Sequence, residues 1–183
     1  IPVIFGHLQK MHIQATIDGV ITPHGNWQGL SPGWVITIWL IHILSEHTHC
    51  MDRVQPWVAK RLRALQALTG QAVRVLDFTD DRLALCLDML SEREAWQAIE
   101  TRLSQQLLRV YRLGEEATVR LDASTGTVCH EPAQHTLFKV GKAKSGEFAT
   151  QYKLMLASLD PLGLTLAVDV VAGNRADDPL YVP

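Results

Sequence analysis

The sequence lacks a charge imbalance. Its 17 Lys and Arg stand against 19 Asp and Glu, a formal net charge of -2. No global basic signal for nucleic acid follows, although a local basic face can still bind phosphate inside a near-neutral protein. It also lacks a membrane-length apolar run. The most apolar stretch, Trp34 to Leu44, is broken by Thr37 and His42 and falls short of the roughly 20 residues that cross a bilayer. Cysteine is scarce and odd in number: Cys50, Cys86 and Cys129 are widely spaced, with no C-x-x-C pair. They read as reduced thiols in a cytoplasmic protein rather than as a disulfide framework. No basic segment leads into an apolar run at the start, so a signal peptide is unsupported. The first residues are Ile-Pro rather than Met, which reads as a processed chain or a fragment. Internal repeats and low-complexity segments are absent.

What is present is ordinary for a globular chain: 47% hydrophobic and 20% charged residues over 183 positions. That length suits one good-sized domain or two small ones. Trp27, Trp34, Trp39 and Trp57 crowd the first third, which predicts a packed core there. The charges segregate. Arg53, Lys60, Arg61, Arg63 and Arg74 precede an acidic group formed by Asp77, Asp80, Asp81, Asp88, Glu92, Glu94 and Glu100.

Ser31-Pro32 predicts a helix start, with Ser as N-cap and Pro in the first turn. The helix should run from Pro32 to about Glu46 and, being apolar nearly all round, sit centrally in a bundle. Gln55-Pro56 opens a second helix. Trp57, Val58, Leu62, Leu65 and Leu68 recur at helical spacing, with Lys60, Arg61 and Arg63 mostly on the other face; Gly70 ends it. Thr79 predicts another N-cap, with acids in the first turn. Ser91-Glu92-Arg93-Glu94 reads as a capping box for a helix reaching about Val110, with Trp96, Ile99, Leu103 and Leu107 as its buried stripe.

The period then changes. From Ala117 to Val128 the chain is rich in β-branched residues. Val119 and Leu121 fall on one face, and Thr118, Arg120 and Asp122 on the other. Leu137–Val140 and Tyr152–Leu159 fit further strands. The turn Asp160-Pro161-Leu162-Gly163 joins the last of these to Leu164–Ala172 as a hairpin, and Gly173-Asn174 ends the run. An antiparallel group of three strands without a covering helix leaves one face bare, so the β half reads as unfinished.

Three groups of residues could carry chemistry. A lone Asp is disfavoured inside a strand, so Asp122 is either a strand-end residue capping a turn with Ser124 or Thr125, or a carboxylate held for a divalent ion. The helix bearing Lys60, Arg61 and Arg63 is the best DNA-contact candidate, and its pattern equally suits a solvated face. His42, His47, His49 and Cys50 are local to one another, yet their spacing is not that of a zinc site.

Several segments together resemble the catalytic domain of insertion-sequence DDE transposases. They are Val119-Arg120-Leu121-Asp122-Ala123-Ser124-Thr125, then residues 152–163, then Val170-Val171-Ala172-Gly173-Asn174-Arg175-Ala176-Asp177-Asp178. Gly25-Asn26-Trp27-Gln28-Gly29-Leu30-Ser31 and Asp77-Phe78-Thr79-Asp80-Asp81-Arg82-Leu83 resemble the long helical N-terminal region of one branch of that family.

The resemblance implies an α+β protein. A helical, DNA-binding bundle over residues 1–112 would precede the first three strands of an incomplete ribonuclease H-like domain over residues 113–183. It implies that Asp122 is the first catalytic carboxylate and a ligand for Mg²⁺. The second Asp and the Glu would lie beyond Pro183. Asp169 is not given the second role, because it precedes the Gly-Asn turn. The segment 141–147 departs from the more polar stretch that relatives carry there. The implied partner is double-stranded DNA at the ends of the element, with room for a homodimer and no membrane. The alternatives are a non-catalytic DNA-binding remnant and a helical interaction module.

Overall fold

Ser31 adopts an extended backbone, and its hydroxyl accepts a hydrogen bond from the Trp34 amide. That cap, with Pro32 in the first turn, starts a helix at the expected place. The computed structural model describes residues 1–113, 118–131, 136–143 and 146–176. The chain divides into two compact units, residues 1–106 and 107–183. It is an α+β protein, with six helices followed by a four-stranded antiparallel sheet.

In the first unit α3 (Pro32–Glu46) is the central element, as its all-round apolar sequence predicts. Val35, Ile38 and Ile41 on α3 are fully buried. Two further helices, α1 (Pro2–Lys10) and α2 (Ile13–Asp18), were not among the expected elements and pack against it. Both are short, so burial of Phe5, Leu8, Ile13 and Ile17 in the core, rather than propensity, supports them. Asp18, the last residue of α2, accepts from the Gly33 amide and the Ser31 hydroxyl and so fixes the N-terminus of α3.

A 3₁₀ turn (Met51–Arg53) leads into α4 (Val54–Thr69), which Gly70 closes in the left-handed conformation. A second 3₁₀ turn (Val75–Phe78) precedes α5 (Asp80–Ser91), whose N-cap is Thr79 as expected. The Ser91 capping box does not form. Ser91 is the last residue of α5, and its hydroxyl donates to the Asp88 carbonyl. That internal bond occupies the side chain that would have capped α6 (Arg93–Tyr111). The expected stripe of α6 is also too wide. Ile99 is buried and Leu103 packs partly against the core, whereas Trp96 is 41% exposed.

The second unit is built on β3 (Phe148–Leu159). β1 (Val119–Thr127) pairs with residues 151–159 along one edge. β4 (Leu164–Ala172) pairs with residues 152–159 along the other, in the hairpin the Asp160–Gly163 turn predicts. β2 (Lys139–Lys142) overlaps the strand expected at Leu137–Val140 and pairs with residues 148–151, so the sheet has four strands where the resemblance implied three. Gln151 is opposite both Thr127 and Lys139, so β2 continues the edge occupied by β4.

No helix among the described residues is long and apolar enough to cross a membrane. Asp177 and Asp178 of the segment that carries the resemblance lie outside the described residues, as do the beginning of the first strand at Ala117 and part of segment 141–147.

Candidate nucleic-acid surface and carboxylate site

The helical unit brings together the two segments that carry its resemblance. Asp77 is fully buried, and its carboxylate accepts from the backbone amide, Nε and Nη2 of Arg74. Arg82 approaches the same carboxylate, its Nη2 3.7 Å from Asp77 Oδ1. The Arg82 guanidinium lies 3.9 Å from the centroid of Trp27 and donates to the carbonyls of Gln28 and Leu30. Trp27 in turn donates its indole N–H to the Leu30 carbonyl. One buried carboxylate and one cation therefore pin the loop 25–31 to the start of α5. Gly29 has φ +81°, and a Cβ there would fall 1.9 Å from Arg74 Nη2, so this loop position excludes a side chain. Hydrogen bonding to Asp77 raises the Arg74 pKa, while burial lowers that of Arg82.

Three cations of α4 were candidates for phosphate contact, and the structure separates them. Lys60 and Arg63 are exposed, as is Arg53 just before the helix. Arg61 is not equivalent. Its Nη2 donates to Glu46 Oε1 at 3.1 Å, and its guanidinium sits 4.9 Å from the Trp57 centroid. Trp57 donates its own N–H to the same Glu46 oxygen at 2.7 Å. Glu46, at the end of α3, thus diverts Arg61 into an intramolecular contact, and the helical spacing of α4 alone could not reveal that.

His42 is buried among these groups with its ring edge-on to Trp57. Burial lowers its pKa, Glu46 opposes that, and Arg61 adds to it. His47, His49 and Cys50 are not buried with it, and no group of three or more possible metal ligands forms among the described residues.

In the β unit Asp122 is exposed near the middle of β1, opposite Leu156. It is a mid-strand residue and not a turn cap. Val119 and Leu121 fall on the opposite face, as their alternation predicts. Arg120, on the Asp122 face, forms an ion pair with Asp160 in the β3–β4 turn. Asp169 pairs with Met155, the neighbour of Leu156, and so lies on the other face of the sheet. Asp169 is therefore not beside Asp122, and with no group of three or more possible ligands among the described residues the donors here do not fit a divalent metal ion. The sheet is apolar on both sides. Leu154, Leu156, Val168 and Val170 share the Asp122 face, while Leu121, Met155, Leu159 and Val171 form the other.

No protein-family model, curated protein or solved structure matches this chain.

Proposed function

We propose that the chain is the DNA-binding region and the first catalytic strand of a DDE-type insertion-sequence transposase. The observation that carries the reading is the setting of Asp122. It is an exposed carboxylate in the middle of β1, on a sheet whose outer β1 edge pairs with no other described strand. Carboxylates are disfavoured inside strands, and a strand is a rigid place from which to aim one. A further strand added along that edge would set its own side chains beside Asp122 at cross-strand distance, about 5 Å. Apolar residues on the face opposite Asp122 suit a covering helix layer, as in a ribonuclease H-like arrangement.

The helical unit supplies the second part of the reading. Lys60 and Arg63 are exposed on a helix whose other face is anchored by Val54, Trp57, Val58 and Leu65. Such a surface neutralises phosphates on double-stranded DNA. Mg²⁺ and the strand-cleaving chemistry belong to a site with more carboxylates than Asp122, and no cleavage step is assigned to the residues here.

The test is a salt-titrated gel shift on duplex DNA bearing element ends. Changing both Lys60 and Arg63 to Ala should weaken binding at low salt and reduce the salt slope by about two, one per lost phosphate contact. Arg61→Ala should leave the slope unchanged. Binding that is indifferent to the double change removes α4 from the DNA surface. No duplex binding at low salt favours a helical interaction module.

A further inference from the structure

The end of the sheet farthest from the β3–β4 turn carries an aromatic array that the carboxylate does not explain. Tyr152 lies opposite Gly126, and its ring covers that glycine; a Cβ at Gly126 would meet the ring at 2.6 Å. Phe138 packs against Tyr152 with ring centroids 6.2 Å apart, and His130 stacks parallel to Phe138 at 5.1 Å. One turn of the pattern further on, Phe148 is 76% exposed, and its cross-strand partner is Lys142. Phe148, Tyr152 and Asp122 share one face by the strand alternation and register. At Phe148 the sheet has narrowed, because the pairing of β4 stops at Tyr152 and that of β1 at Gln151.

A ring with a cation directly opposite is suited to a stacked base and its adjoining phosphate. Eight residues separate Phe148 from Leu156, the partner of Asp122, or about 26 Å at a rise of roughly 3.3 Å per residue. That is about eight nucleotides at the ~3.4 Å rise of a stacked strand. We propose that the Phe148–Lys142 pair binds unpaired bases of a DNA strand laid along β3 toward Asp122, with Phe148 as the stacking ring and Tyr152–Phe138 as its rigid neighbour. This rests on the DNA-acting reading and adds a single-stranded partner to it.

The test uses the full 183-residue chain, a labelled 12-nucleotide single strand and its duplex, followed by fluorescence anisotropy at low salt. The native protein should bind the single strand. Phe148→Ala should weaken that binding about tenfold, as loss of one stacked base does, and Phe148→Tyr should stay within about twofold of native. A 2-aminopurine placed in the strand should be quenched by the native protein and not by Phe148→Ala. Single-strand binding that is absent, or unchanged in Phe148→Ala, overturns the inference. So does a native dimer that Phe148→Ala dissociates without altering DNA binding. Duplex binding that depends on Lys60 and Arg63 while the single strand goes unbound overturns this inference alone. Single-strand binding lost with Phe148 while duplex binding ignores α4 overturns only the assignment of that helix.

Discussion

Asp122 and Asp169 point to opposite faces of one sheet, because Asp122 is paired with Leu156 and Asp169 with the adjacent Met155. The two carboxylates are within reach in sequence pattern but cannot share an ion through a packed strand. Two-metal strand cleavage needs several carboxylates converging on one place. The chain is therefore predicted to nick no supercoiled DNA in Mg²⁺ or Mn²⁺. Metal-dependent nicking that disappears in Asp122→Asn would show that the site is complete after all.

Asp77 is fully buried between Arg74 and Arg82. Removing its charge leaves Arg82 partly buried without a counter-ion, and breaking a buried pair this way costs about 3–5 kcal/mol. Asp77→Asn should lower the urea midpoint of the helical unit accordingly. Arg74→Ala should do less, because that side chain is half exposed and water screens it.

The core assignment of α3 and the exposure of α6 give opposite expectations for two large apolar residues. Ile38 is fully buried, and Ile38→Ala should cost about 2–5 kcal/mol. Trp96, which periodicity places inside, is largely outside, so Trp96→Ala should cost below about 1 kcal/mol. Equal losses in denaturant titrations would contradict the observed exposure of Trp96.

His42 gives a pH dependence of definite sign. Its folded pKa lies below the ordinary value of about 6.5. The unfolded chain then binds the proton first, so the contribution of neutral His42 is complete above about pH 6.5. It is lost as the pH falls from there through the folded pKa. Urea midpoints at pH 7.5 and 5.5 should differ more for the native protein than for His42→Phe. An identical difference would mean that His42 does not titrate on unfolding.

Much of this was readable locally. Ser31-Pro32, Thr79 and Gly70 mark helix ends because capping depends on residues a few positions apart. The alternation around Asp122 fixes its face for the same reason. The Ser91 signal failed because a hydroxyl that can cap the next helix can also bond back to its own. Helix α1 is legible locally as well, from Pro2 and the spacing of Ile1, Ile4, Phe5 and Leu8, whereas α2 has six residues, too few for periodicity to show.

By itself, then, the sequence determined the change from helix to strand, the central position of α3, and the strand face on which Asp122 lies. These follow from periodicity and end signals within about ten residues. Only the tertiary structure decided that Glu46 withdraws Arg61 from the basic surface, that Asp77 and Arg82 bind the loop at Trp27, and that Asp169 faces away from Asp122. Each depends on groups brought together from distant parts of the chain or on strand register, and spacing along a single element carries no record of either.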